Sequence, residues 1–325
     1  MAIVSKDDVS YTYTDYYNNA LKFAKSAIKA GLKLKDTVAF IGFNSPEYHF
    51  GLHGTWLAGG VTAGIYTTNS EEACRYVLDH SESVICVCQS GKQLTKILSI
   101  RDKLPRLKVI VAYWQEEEIP AISDAYARVY KWEDFLKLGE DVADSEVDAR
   151  IEQTKPGSCA TLIYTSGTTG DPKGVMCSHD SCTYNAFVVK GMIGLRDGER
   201  FVGYLPLNHV AAQYVDCMLF LYTRLTVYMA RPDALRGTLV ETLKKAKPTV
   251  FVGVPRVYEK MMDSIKAVFA KKGFIMQSII SWARSIGLAT ALSRQYKQTL
   301  YYPWGYFLAN RLVFSSIRDA LGLSE

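Results

Sequence analysis

Several features are missing from this sequence, and each absence narrows what the chain is. It has no uninterrupted apolar, uncharged run of about 18 residues, so no segment qualifies as a membrane-crossing helix. Met1 to Ser10 lacks an apolar core, and no signal peptide is expected. None of the seven cysteines (Cys74, Cys86, Cys88, Cys159, Cys177, Cys182 and Cys217) belongs to a Cys-x-x-Cys pair. Their odd number and apolar surroundings suit buried thiols in a reducing compartment better than a disulfide framework. No internal repeat or low-complexity tract is found. Acidic residues are scarce in the last third: from Lys244 onward there are thirteen Lys/Arg against four Asp/Glu. A basic third suits an anionic membrane face or an acidic partner, and equally a set of solvated helix faces, which is the simpler reading.

Apolar material is plentiful. It makes up 48% of 325 residues, enough for a sizeable core in two subdomains or one large unit. Nearly continuous apolar runs occur at Asp36–Phe43, Gly59–Tyr66, Ser83–Cys88, Leu107–Tyr113, Cys159–Thr165, Arg200–Leu205, Leu225–Ala230 and Pro248–Val254. Such runs are predicted strands buried on both faces. Between them lie helical patterns. Tyr13–Ala30 carries Tyr17, Leu21, Ala24 and Ile28 at helical spacing, and Ser70–His80 opens with a capping serine and two glutamates. Leu235–Lys247 and Arg256–Lys271 are also helix-like. The alternation predicts an α/β fold of mostly parallel sheets flanked by crossover helices. Gln115–Ile119 and Gly139–Gly157 read as loops. Composition and charge change in the second, and Pro156-Gly157 punctuates it, so it divides the chain into 1–157 and 158–325.

The densest local signal is Leu162–Asp180, LIYTSGTTGDPKGVMCSHD. It leaves a predicted strand, turns through three glycines, and enters what reads as a helix. Glycines let backbone N–H groups approach a ligand, and consecutive N–H groups form an anion nest. Thr165, Ser166, Thr168 and Thr169 add hydroxyls, Pro172 stiffens the loop, and Lys173 adds a cation. Together they suit a polyphosphate. The spacing does not match G-x-x-x-x-G-K-[ST], because Asp171-Pro172 separates Gly170 from Lys173, so a kinase-type phosphate loop is disfavoured. Two other signals are weaker. His49 and His53 stand four apart, as a metal pair would, but no third ligand accompanies them, and packing is expected. Ser178-His179-Asp180 has triad letters, but neighbouring side chains cannot relay a proton along themselves, so it reads as the start of a helix.

The string YTSGTTGDPKGV (Tyr164–Val175) resembles the signature phosphate loop of the adenylate-forming superfamily. GFNSPEYHFGLHGTWLAGGVTAGIYTTNSEEACRYVLDHS resembles the segment upstream of that loop in bubblegum-type long-chain fatty acid–CoA ligases. YLPLNHVAAQ (Tyr204–Gln213) resembles a second core motif, and KPTVFVGVPRVYEK (Lys247–Lys260) the gate region of long-chain enzymes. The resemblance implies part of the N-terminal domain of such an AMP-binding enzyme. It implies activation of a long-chain fatty acid with ATP to an acyl-adenylate, then transfer to coenzyme A. Thr165, Ser166, Gly167, Thr168, Thr169, Gly170 and Lys173 would then hold the phosphates. Thr165 would be the contact to a bridging Mg²⁺, and Lys173 and His209 the catalytic pair. His209 would line the junction of acyl and phosphate sites, with a satisfied core histidine as the alternative. Tyr258 would border the acyl entrance, with a buried helix-start tyrosine as the alternative.

The resemblance has limits. The family's later Tyr-Gly-x-[Thr/Ser]-Glu motif, ribose aspartate, hinge and terminal catalytic lysine do not occur here. Little ligase activity is therefore expected of the chain alone, and a non-catalytic form that binds nucleotide phosphates or a partner is the competing reading. An adenylating enzyme for amino or aryl acids is a third, disfavoured by VPRVYEK. No nucleic-acid partner is expected. A cytoplasmic location is expected, and peripheral contact with the endoplasmic reticulum or another membrane stays open. Gly273–Leu292 and Tyr301–Leu308 are candidates for an interfacial segment, a tunnel-closing helix or simple core.

Overall fold

The computed structural model describes residues 1–114, 126–165, 171–297 and 301–324. The chain opens with two short strands, β1 (Ile3–Val4) and β2 (Ser10–Tyr11), and helix α1 (Tyr13–Lys29). Thr12 starts that helix. Its hydroxyl accepts from the Asp15 N–H, and the Asp15 carboxylate accepts from the Thr12 N–H, a reciprocal capping box. There follow β3 (Thr37–Ile41), α2 (Pro46–Leu57), β4 (Val61–Ile65), α3 (Glu71–His80), β5 (Ser83–Gln89), α4 (Lys92–Ile100), β6 (Val109–Tyr113) and β7 (Arg128–Lys131). Then come α5 (Trp132–Lys137), α6 (Asp144–Gln153), β8 (Cys159–Thr165), β9 (Lys173–Ser178) and α7 (His179–Ile193).

Strands β3 to β9 form one sheet in the order β7-β6-β5-β3-β4-β8-β9. Every pairing in it is parallel except β8 with β9. Side chains alternate between its faces as the pleat requires. Ala39 and Ile41 turn to a layer containing Cys74, Val77 and Leu78 of α3 and Leu94, Ile97 and Ile100 of α4. Phe40 turns the other way, its ring 5.0 Å from Tyr48 of α2. Helices thus cover both faces, which is why the strands read as unbroken apolar runs.

Beyond α7 come β10 (Arg200–Gly203) and a helical run over 210–223. That run consists of α8 (Val210–Ala212), a π-helical stretch Gln213–Leu219, and α9 (Phe220–Thr223). Strand β11 (Thr226–Met229) then pairs in parallel with β1, which is antiparallel to β2. The remainder is helical: α10 (Leu239–Ala246), α11 (Pro255–Ala270), α12 (Phe274–Lys297), α13 (Tyr306–Ala309), a π-helical stretch Asn310–Phe314, and α14 (Ser315–Leu321).

Several expectations need correction. The chain divides into two compact units, 1–199 with 203–232 and 200–202 with 233–325. The expected boundary at 157/158 falls inside the first unit, because β8 is hydrogen-bonded to β4 in the middle of its sheet. Gly139–Gly157 is not all loop; its charged residues form α6, with Val147 buried. Pro248–Val254 makes only a single parallel bridge, Phe201 to Val250, so it lacks the ladder that defines a strand. The buried face of α1 is Tyr16, Ala20, Phe23, Ala24 and Ala27, and Tyr17 is half exposed. Gln115–Ile119 lies outside the described residues.

The core of the first unit holds polar groups. His49 is fully buried and His53 nearly so. The Tyr16 hydroxyl donates to the His49 carbonyl oxygen (3.2 Å) and lies 2.6 Å from His53 Nδ1. Cys217 Sγ lies 3.9 Å from His49 Nδ1. These histidines are packed, as expected from the missing third ligand. All seven cysteines are free, and Cys74, Cys86, Cys88, Cys182 and Cys217 are buried.

Burial pulls His49 down to about 3 and His53 to about 4 from an ordinary value of 6.5. An unfolded chain therefore binds protons at these positions more readily than the folded one. Their contribution to stability is complete above pH 6.5 and declines as pH falls toward those folded values. Each histidine adds up to about 1.4 kcal/mol per pH unit in that window. Urea midpoints measured from pH 7 to pH 4.5 are expected to fall more steeply for the native chain than for His53→Gln. Equal slopes would remove His53 from this account.

Candidate functional site

The hairpin β8–β9 builds the first half of the site. Its register pairs Thr165 with Lys173 and Tyr164 with Gly174, so the two chemically active residues stand opposite each other at the mouth of the glycine-rich turn. Both are exposed. After the turn the chain first enters strand β9, ahead of the helix start expected at Ser178-His179-Asp180. The helix begins later, at His179, capped by the Ser178 hydroxyl. Ser166, Gly167, Thr168, Thr169 and Gly170 lie outside the described residues. The edges of the turn are anchored from α3. The Tyr76 hydroxyl donates to the Pro172 carbonyl oxygen (3.1 Å), and His80 Nδ1 lies 2.9 Å from the Tyr164 hydroxyl. Burial pushes the Tyr164 phenol up to about 12, so it stays neutral and acts as a strut.

The second half is the 205–209 loop. Asn44, just beyond the end of β3, holds it: its amide donates to the Leu205 carbonyl oxygen (2.8 Å), and its side-chain oxygen accepts from the Leu207 N–H (3.3 Å). Asn208 lies directly on β4 at Gly64. A Cβ at position 64 would come within 2.8 Å of the Asn208 Cα, closer than real contacts allow. Continuing the pairing of Ala63 with Leu162 sets Gly64 level with Ile163, two residues before Thr165. The loop and the hairpin mouth therefore share the carboxyl edge of the parallel sheet.

His209 follows as the N-cap of α8. Its Nδ1 accepts from the Ala211 N–H at 3.3 Å. The neutral ring then carries its proton on Nε2, a donor. His209 is exposed, which removes the alternative of a satisfied core histidine; His49 and His53 fill that role. Behind the loop, Gln213 is buried and its Oε1 accepts from the Thr161 hydroxyl (3.2 Å), tying the π-helical stretch to β8.

The sheet's winding reverses at β3, where a doubly wound fold would open its binding crevice between β3 and β5. Here that crevice is filled. The Tyr113 hydroxyl donates to the Phe43 carbonyl oxygen (2.9 Å), the Phe43 N–H donates to Gln89 Oε1 (3.0 Å), and a Cβ at Gly42 would collide with Tyr113.

In the second unit, Tyr258 sits in the first turns of α11, 47% exposed, with its ring edge-on to Phe251 at 5.9 Å. It is not a buried helix-start tyrosine. Sequence reasoning missed Asn44, Gly64 and Gln213. The first two lie within the upstream segment and the third ends the second motif, but nothing in one sequence says that they touch the site.

The chain matches the AMP-binding enzyme family over residues 1–305. It is 45% identical to the long-chain-fatty-acid–CoA ligase ACSBG2 of Xenopus laevis across 97% of this chain and 42% of that protein. It is 42% identical to human ACSBG1 across 97% of this chain and 43% of that protein. The chain thus spans less than half the length of these relatives. ATP-bound MatB from Rhodopseudomonas palustris shares the fold, with a TM-score of 0.63 and 23% identity over 80% of this chain and 47% of that one. So does the Bacillus subtilis o-succinylbenzoate CoA synthetase MenE, with a TM-score of 0.63 and 18% identity over 81% of this chain and 60% of that one. This is a chain of the AMP-binding enzyme family.

Proposed function

We propose that the protein to which this chain belongs activates long-chain fatty acids. The acid's carboxylate oxygen attacks the α-phosphorus of ATP, the bond from that phosphorus to the α,β-bridging oxygen breaks, and pyrophosphate leaves. The sulfur of coenzyme A then attacks the acyl carbon, and AMP departs. A carboxylate is already a nucleophile at neutral pH, so the protein's task is positioning and charge neutralisation.

The observation that carries this reading is the pairing of Thr165 with Lys173 across the mouth of a glycine- and hydroxyl-rich turn. The Lys173 ammonium balances charge on the leaving phosphates. His209 donates from Nε2 toward the oxygens that gather charge between acid and α-phosphate. Tyr258 is assigned to the acyl entrance. Mg²⁺, when bound, would neutralise phosphate oxygens, with the Thr165 hydroxyl as its protein contact. The described residues contain no cluster of three or more His, Cys, Asp or Glu able to hold a metal. That suits a small hard cation held mainly by substrate oxygens and water.

The test is ATP–pyrophosphate exchange, measured on this chain joined to the remaining length that its relatives carry. Lys173→Ala is expected to lower kcat about 100-fold with palmitate as the acid. An unchanged rate, or exchange equally fast with amino or aryl acids, would overturn the assignment. Gly64→Ala changes no group that meets substrate, but its added methyl displaces Asn208. It is expected to cost about ten-fold or more in the same assay, while far-UV circular dichroism stays native. Full activity in that variant would show that the 205–209 loop is not held by this contact.

A further inference from the structure

Helix α3 meets both strands of the β8–β9 hairpin through two side chains four residues apart. Positions so spaced share a helix face. On α3 they are Tyr76 and His80, whose rings stack at 5.3 Å with 24° between their planes. Tyr76 reaches the end of the turn. Pro172 has no N–H, so its carbonyl is its one backbone hydrogen-bonding group, and the Tyr76 hydroxyl donates to that oxygen at 3.1 Å. The next residue is Lys173. His80 reaches the other strand: its Nδ1 lies 2.9 Å from the hydroxyl of Tyr164, the residue before Thr165. The Tyr164 ring in turn crosses the hairpin. A Cβ at Gly174, its register partner on β9, would lie 3.3 Å from that ring.

A clamp holds only if its own base is fixed. Cys74, Val77 and Leu78 of α3 are buried in one layer with Leu94 and Ile97 of α4. The turn leading into α3 is held from α4 by Lys96, which is 8% exposed. Its ammonium donates to the carbonyl oxygens of Thr67 (2.9 Å) and Asn69 (2.8 Å). A buried ammonium that loses its acceptors is costly, so those carbonyls are kept in place. Ser70 follows, and its hydroxyl accepts from the Ala73 N–H (3.2 Å) to start the helix. By contrast, β9 lies at the edge of its sheet, and Lys173 is exposed on it.

We propose that Tyr76 and His80 are positioning residues that fix the two strands at the hairpin mouth and so decide where the Lys173 ammonium stands. They act through Pro172 and Tyr164, not by contact with substrate. The consequence for phosphate rests on the ligase reading above; the clamp itself does not.

Two measurements test this. The first is hydrogen exchange of the 325-residue chain, without nucleotide or acid, read by mass spectrometry over residues 171–178. Tyr76→Phe combined with His80→Leu is expected to speed exchange there about ten-fold, with native rates in β3 and β5. Unchanged exchange over 171–178 would overturn the clamp, whether or not the protein is a ligase. Equal acceleration in β3 and β5 would overturn it too, as general loosening of the sheet. The second is ATP–pyrophosphate exchange with palmitate in the lengthened protein. Tyr76→Phe is expected to raise KM for ATP about five-fold and to leave KM for palmitate unchanged. His80→Asn keeps an acceptor where Nδ1 stands, and is expected to retain the native KM for ATP that His80→Leu loses. If the native protein exchanges and neither Tyr76→Phe nor His80→Leu moves KM for ATP, the role toward Lys173 is lost. If the native protein does not exchange, the ligase reading fails instead, and hydrogen exchange alone decides the clamp.

Discussion

The candidate site depends on one close contact. With no side chain at Gly64, the backbone of Asn208 can rest on β4. Any larger residue would push the 205–209 loop off the sheet. Asn44 fixes the same loop from β3 by two hydrogen bonds, and Gln213 fixes the helical run behind it to Thr161 of β8. His209 is thereby held on rigid elements although it is exposed. Its tautomer is set by a backbone N–H two residues ahead. A glycine, two amides and a threonine decide where the imidazole sits, and none of them needs to meet a ligand.

In the phosphate-holding role proposed for it, the hairpin β8–β9 differs from a kinase-type phosphate loop. There, a helix N-terminus supplies much of the positive potential. Here a strand follows the turn, so the helix dipole is not available at its mouth. The positive charge comes from Lys173, placed by antiparallel register opposite Thr165. The Tyr76 hydroxyl, on the Pro172 carbonyl, and the Tyr164 hydroxyl, beside His80, brace the edges of the turn. The crevice that a dinucleotide-binding sheet would leave between β3 and β5 is closed by Tyr113.

The two units manage polarity in opposite ways. The first hides polar groups: His49, His53 and Asp216 are buried, and burial pushes the Asp216 carboxyl well above its ordinary range. The last of these lies on a π-helical stretch and finds no partner for Oδ2 among the described residues. Burial disfavours the charged form of each of these three groups. The second unit instead leaves large apolar side chains exposed, among them Phe274, Trp304 and Phe307.

Much of the fold was legible in the sequence because burial on both faces leaves an unmistakable mark. Strands β3, β4, β5, β6 and β8 are solid apolar runs, and β8 spans the very residues predicted for it. Local signals were legible too: the capping serine at 70, the helix start at Ser178-His179-Asp180, and the packed pair His49 and His53. Other features needed the tertiary structure. Lys173–Ser178 became a strand because β8 offered an unpaired edge, although its own residues carry little strand pattern. Pro248–Val254 has a strand's composition but only one bridge. The composition shift near residue 157 marks no unit boundary, because β8 is hydrogen-bonded to β4 within one sheet. Gly64, Asn44 and Gln213 act at the site across separations of about 50 to more than 160 residues. Local patterning determines how a segment buries itself; which distant segment lies against it is decided by packing, where a missing Cβ or a single amide can place a loop.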